Sequence, residues 1–332
     1  MFQNLSSYQP AIIDANDPLH HLLMPLLYFE VFSYPLTFEE IVHFCQFQNC
    51  QPETVKQSLQ EGIAQGYIFQ YEQFFLCQDE PAWIEKRKEH NHRAKRYLAR
   101  AYKMAQLIRR FPYVRAVFLS GALSKNVMPK DGDIDYFIVT KPGRLWASRT
   151  LLVLFKKIFL LNSHKYFCVN YFVDEDHLEI EEKNLFTAME TVTLVPLYNP
   201  EIYQAFYAIN NWAQRYCPNF PMRPLEKAIP VKKSFLQKST EWLLDGEMGD
   251  RFDLYCMRAT LGHWQKKFRN FDADKFANAL KSRTYVSKHH PQDFQTKVLT
   301  AYENNIQRFE ARHQIQLERP VSLLKKEKED YE

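Results

Sequence analysis

The residues best placed to do chemistry lie in one stretch, Phe118–Val139, which reads FLSGALSKNVMPKDGDIDYFIV. Asp133 and Asp135 alternate with Ile134, so on a strand both carboxylates leave the same face while Ile134 packs on the other. Two such carboxylates repel unless a cation sits between them. Hard oxygen donors of this kind suit Mg²⁺ or Mn²⁺ held jointly with substrate phosphates, which makes a nucleoside triphosphate (NTP) the natural companion.

The upstream half of the stretch supplies what a triphosphate needs. Gly121 follows an apolar run and permits close backbone approach, Ser120 and Ser124 offer hydroxyl donors, and Lys125 brings a positive charge to the same turn. Gly121 precedes Asp133 by twelve positions. Over Val114–Val139 this arrangement resembles the signature of the DNA polymerase beta-like nucleotidyltransferases, above all the minimal and aminoglycoside-type members. In these a G-S-x-x-R-G segment precedes S-D-I-D; here GALSKN precedes GDIDY.

The resemblance implies transfer of a nucleoside monophosphate from an NTP to an acceptor hydroxyl, with two divalent metals held by Asp133 and Asp135. Ser120, Gly121, Ser124 and Lys125 would cradle the triphosphate. The pattern departs from the family at three places. Ala122 stands where Ser or a second Gly is usual, and Asn126 replaces the later Gly. Asn170 occupies the position of the third carboxylate, with Asp174 at the same strand's end as its fallback. An amide oxygen can coordinate a metal but carries no charge and accepts no proton from a nucleophile. Two alternatives therefore stay open: a catalytically silent nucleotide-binding or regulatory protein of the same fold, and a DNA-binding regulator. The acceptor could be a small molecule, a protein side chain or an RNA end.

These residues need strands to carry them. VRAVFLS, DIDYFIV and KYFCVNYFV read as strands, HLEIEEKN as a short strand, and LWASRTLLVLFKKIFL and LFTAMETVTLVPL as helices. Glu179 and Glu181 alternate on the short strand as further acidic candidates, and Trp146 opens its helix as a core residue.

Ahead of this region, three helical patterns precede a hairpin turning near Tyr71–Gln73. Thr37 and Glu40 form a capping box for the second helix, and Pro52 opens the third. That order resembles a winged helix-turn-helix. Its third helix sets one Lys56 against Glu53 and Glu61, too little positive charge for phosphate neutralisation, so duplex DNA is not expected as a partner. The expected fold class is α+β: a mixed-sheet nucleotidyltransferase domain flanked by a winged-helix module and a C-terminal α-helical domain. The expected boundaries are 1–80 for the winged module, 81–110 for a basic linker helix carrying Arg93, Arg96 and Arg100, 111–200 for the nucleotidyltransferase domain and 201–332 for the helical domain.

Composition narrows the classes further. A 46% apolar and 15% aromatic chain of 332 residues is globular, and is long enough for more than one core. A net charge of +4 does not announce nucleic-acid binding. The six cysteines show no C-x-x-C spacing, which points to reduced thiols rather than a zinc site. The N-terminal stretch has neither a basic nor an apolar signal region, and LLVLFKKIFLL is broken by Lys156 and Lys157, so a cytoplasmic protein with no membrane partner is expected.

Overall fold

The computed structural model describes residues 11–163, 165–232 and 235–319. Residues 1–10 and 320–332, which belong to the two expected outer units, lie outside that description. The fold is α+β with mixed sheets, and no helix among the described residues is long and apolar enough to cross a membrane.

After a short strand β1 (Ala11–Ile13), α1 (Pro18–Glu30) begins where the Asp17 side chain accepts the Leu19 amide. β2 (Leu36–Thr37) leads into α2 (Phe38–Phe44), whose first turn is closed by the expected reciprocal box between Thr37 and Glu40. α3 (Pro52–Ala64) starts on its proline, and β3 (Phe69–Tyr71) and β4 (Phe74–Leu76) form the hairpin, turning at Glu72 with φ 53°. β4 lies between β2 and β3. β2, two residues long, is too short to show a period in the sequence.

The linker is a single helix, α4 (Ala82–Ile108), burying Ala94, Ala101 and Ala105 at helical spacing. Its basic residues are not all solvated. Arg87 is buried against Glu40, the Pro35 carbonyl and the Tyr34 ring, and Arg93 donates to the Met128 carbonyl.

Then come β5 (Val114–Ser120), the one-turn α5 (Gly121–Ser124), β6 (Asp135–Thr140), α6 (Leu145–Phe159), β7 (Cys168–Asp174), α7 (Leu185–Val192) and β8 (Val195–Tyr198). α8 (Pro200–Ile209), α9 (Phe235–Leu243), α10 (Glu247–Lys267), α11 (Ala273–Ala279), β9 (Ser282–Arg283), β10 (Val286–Lys288), α12 (Phe294–His313) and β11 (Ile315–Leu317) complete the chain.

Six strands form the main sheet in the order β8-β5-β6-β7-β10-β9. Only β6 and β7 run parallel, joined through the crossover helix α6. Strand alternation divides its side chains between two cores. Phe118, Phe137, Val139 and Val173 face one that also takes in residues of α1, α7 and α12. Val117, Leu119, Ile138 and Phe172 face the other, with residues of α4, α6 and α10.

Three expectations need correcting. The helix over LFTAMETVTLVPL stops at Val192, where the β-branched run Thr191–Thr193 disfavours it, and Val195–Tyr198 pairs with β5 instead. Pro196 is tolerated there because β8 is an edge strand. HLEIEEKN forms no strand. The Asn210 side chain stands in for a neighbouring strand, accepting the Ile180 amide and donating to the Leu178 carbonyl, while Glu181 pairs with Lys281.

The third correction concerns the outer units. The described residues of 201–332 do not make a separate helical domain: β9 and β10 extend the main sheet, and β11 pairs with β1. The N-terminal helices in turn share one continuous core with the sheet.

Candidate active site

The site is built where β5 ends and β6 begins. Ser120 and Asp135 are direct partners across these two antiparallel strands, and the chain turns at Gly121 with φ +68°. A Cβ on Gly121 would lie 2.5 Å from Asp135 Oδ2, so the carboxylate rests on bare backbone and only glycine fits. The two halves of the motif therefore meet in space.

Asp133 falls just outside the strand expected to hold it, since β6 begins at Asp135. Ile134 between them is fully buried in the core beneath α4 and α6, with its amide bonded to the Lys165 carbonyl. Burial pushes the Asp135 carboxyl up to about 7. Contact with Cys168 and the charge of Lys125 oppose that shift, while the charges of Asp133 and Glu190 add to it. A group this poised exchanges a proton, or gives way to a cation, near neutral pH.

The register of β6 against β7 slips between Tyr136 and Phe137, leaving Asn170 as the extra residue of a bulge. Such a bulge re-aims a side chain. The Asn170 side-chain N–H group lies 3.2 Å from Asp135 Oδ1 and 2.9 Å from Cys168 Sγ, and the residue's backbone carbonyl accepts the His289 amide. The amide thus reaches the place where the resemblance puts a carboxylate.

Asp174 does not. It pairs with Thr140 at the other end of β6, five residues and roughly 17 Å from Asp135 at the usual strand rise. There it is buried and bonded to His177 Nδ1 at 2.7 Å. Its fallback role is excluded by that distance.

The turn uses two of its own donors. Ser124 is buried and its hydroxyl donates to the Gly121 carbonyl at 2.8 Å, closing the turn rather than facing a ligand. The Lys125 ammonium lies 2.8 Å from Glu190 Oε1 and 3.2 Å from the same carbonyl. Ser120 is half-buried and caps no amide with its side chain. Asn126 sits at φ +59°, a left-handed position that asparagine tolerates, so its exchange for the family's glycine is local and conformational.

Glu190 escaped the sequence reading. A signal was present: it is the only charged residue in the otherwise neutral α7, LFTAMETV. Trp146 is fully buried and donates to the Arg283 carbonyl, as expected of a core residue.

The segment after the turn is clamped from several sides. The Tyr34 hydroxyl is 3.0 Å from the Lys125 carbonyl and 2.9 Å from Glu40, Asn91 donates to the Asn126 carbonyl, and Arg223 donates to that of Ser124. The N-terminal helices and α4 thus brace the turn.

Among the described residues, no group of three or more His, Cys, Asp and Glu side chains is arranged to hold a metal ion. The candidate ligands are the two carboxylates of Asp133 and Asp135, since the Asn170 amide turns its N–H side to Asp135; an ion held there would take the rest of its shell from water and phosphate oxygens, as Mg²⁺ does. They do not fit an ion caged by protein alone. The chain matches no family model, no curated protein and no solved structure.

Proposed function

We propose that this chain is a nucleotidyltransferase-like protein that binds an NTP with a divalent cation at the Gly121 turn and transfers its nucleoside monophosphate to a hydroxyl acceptor. The observation that carries this reading is the seating of the Asp135 carboxylate directly on the Gly121 backbone, which joins a phosphate-approach turn to a metal-ligating pair. In the reaction the acceptor oxygen bonds to the α-phosphorus, the bond to the β-phosphate's bridging oxygen breaks, pyrophosphate leaves and the hydroxyl proton passes to a base. Mg²⁺ or Mn²⁺, when bound, neutralises phosphate charge as it develops.

Asp133 and Asp135 hold that ion, Gly121 admits the phosphates, and Ser120 offers its hydroxyl. Lys125 becomes available to phosphate oxygens once it leaves Glu190. Residues 18–76 serve as a winged-helix-like brace for the turn, a reading supported by the β2-β4-β3 order and the Tyr34 contact with Lys125. The protein works in the cytoplasm.

A second reading, nucleotide binding without transfer, is favoured by one observation: Asn170 donates to Asp135 where a third carboxylate would assist the nucleophile.

Calorimetry with ATP and GTP, with and without Mg²⁺, tests the site. Binding is expected only with the metal and is lost in the Asp133→Asn/Asp135→Asn double variant; equal binding by both proteins overturns the assignment. Release of labelled pyrophosphate on adding hydroxyl acceptors separates transfer from silent binding.

A further inference from the structure

On the other face of the main sheet from Asp135, α6 carries Arg149 and Lys156, seven residues and so two turns apart on one side of the helix. Arg149 is only 7% exposed and Lys156 only 6%. The Arg149 guanidinium lies over the Trp264 ring of α10, 4.7 Å from its centroid, and 5.8 Å from that of Trp146. Among the described residues, no carboxylate forms an ion pair with it and no acceptor takes a hydrogen bond from it; aromatic rings are its only close partners.

Buried arginines ordinarily meet a carboxylate or a row of carbonyls, because desolvating an unpaired guanidinium is costly. Here the neighbours make the imbalance worse. His289 stacks at 4.9 Å on Trp264, and Lys267, at the end of α10, lies over Phe268 beside the same imidazole. Burial first, then the charges of Arg149, Lys267, His290 and Lys156, drive the His289 ring down to about 3. Burial also lowers Arg149 itself, to about 10, with no acidic neighbour countering it. His289 is half-buried and Lys267 exposed, so the cluster reaches solvent along that side.

We propose that Arg149, Lys156, Lys267 and His289 form a binding site for a phosphate-type oxyanion, framed by Trp264 and Phe268. Stacking engages the face of the guanidinium and leaves its N–H edge for the bidentate bond that an oxyanion offers. The two lysines add charge, and the neutral imidazole adds a donor. This site lies across the sheet from Asp135, with Lys156 within electrostatic reach of Asp133 and the His289 amide bonded to the Asn170 backbone carbonyl, and it does not rest on nucleotidyl transfer. The same chemistry is offered by free phosphate and by the phosphate of a small phosphorylated metabolite.

The test is calorimetry on the full chain at low ionic strength without divalent cation, with inorganic phosphate in one arm and a nucleoside 5′-monophosphate in the other. Saturable one-site binding is expected in at least one arm. It should weaken at least tenfold in Arg149→Met, yet phosphate affinity should stay within threefold in Asp133→Asn/Asp135→Asn. Tighter binding of the monophosphate assigns an ester source, and equal or tighter binding of phosphate assigns the free ion. If Arg149→Met does not fold, Lys267→Glu on the exposed rim replaces it, with the same tenfold loss expected. No binding in either arm, or equal affinity in the folded Arg149 or Lys267 variant, overturns the proposal.

Discussion

The Lys125 ammonium and the Glu190 carboxylate stand 2.8 Å apart beside the Gly121 turn, joining the loop after β5 to α7. One partner is the cation assigned to phosphate, and the other is an anion whose charge helps raise the Asp135 carboxyl. The pair therefore engages the cation of the turn while its anion works against ionisation of Asp135.

Glu190→Gln releases Lys125 and removes one negative neighbour of Asp135. ATP–Mg²⁺ affinity is expected to tighten about three- to tenfold, as one partly exposed ion pair is worth about 1 kcal/mol. Calorimetry reads this directly, and weaker binding would instead make Glu190 a ligand of the bound complex.

Asp135 gives the protein a defined pH response. Its folded pKa, about 7, lies above the ordinary 3.8, so the native state holds the proton more tightly than the unfolded chain does. That contribution to stability is fully present below pH ~4 and is lost as pH rises through about 7. Asp135→Asn should be more stable than the parent at pH 8 by about 2–4 kcal/mol, with the advantage shrinking toward pH 4. Paired urea titrations across this range check it; a pH-independent difference would show that the carboxyl is not the titrating group.

Gly121→Ala asks a side chain to adopt φ +68° with its Cβ 2.5 Å from Asp135 Oδ2. Strain and displaced carboxylate together should cost about 1–3 kcal/mol of stability. ATP–Mg²⁺ binding should fall in parallel, which thermal melts and calorimetry on the same preparation can establish.

Asn170→Asp replaces a donor to Asp135 with a third carboxylate in the bulge. The metal-free protein should melt several degrees lower, since two half-buried acids then face each other without the N–H bridge. Mn²⁺ affinity should rise at least tenfold. Unchanged Mn²⁺ affinity would mean that the bulge does not present this position to the ion.

Arg87→Met tests the brace. Glu40 and Tyr34 would lose their cation; because the Glu40 side chain stays 25% exposed, the cost should fall below the about 3–5 kcal/mol of a fully buried pair, at about 2–3 kcal/mol. Hydrogen exchange at the amides of Lys125–Met128 should accelerate with it, whereas protection unchanged there would confine Arg87 to the N-terminal helices.

Much of this site could be read from residue types because its signals are local. A glycine after an apolar run marks the turn, and D-x-D before a second run marks the carboxylates. The Thr37–Glu40 box and Pro52 mark helix starts in the same way. What stayed hidden depends on distant partners. The bulge that aims Asn170 is a register slip against β6, and Asp174 looked usable because nothing in its own strand says which end faces Ser120. Glu190 reaches the turn only through the packing of α7. HLEIEEKN alternates like a strand, yet Asn210, far along the chain, satisfies its backbone. Likewise β9 and β10 are too short to show a period, so only the pairing of β10 with β7, and of β9 with β10, places them in the sheet.

The pairing of β1 with β11 has a consequence for how the protein is made. Ala15 donates its amide to Glu318 across 303 positions, Tyr28 packs on Tyr302, and the Leu27 carbonyl is capped by Asn305. A ribosome that has released the first three helices has not yet synthesised the helix that covers them. The face of α1 formed by Leu27 and Tyr28 must wait, uncovered, until the chain has grown by the 278 positions that separate Leu27 from Asn305. Slowing elongation after α1 and before α12 is made should therefore prolong exposure of the α1 segment to chaperones and proteases, while the same pause placed ahead of α1 should leave it unaffected.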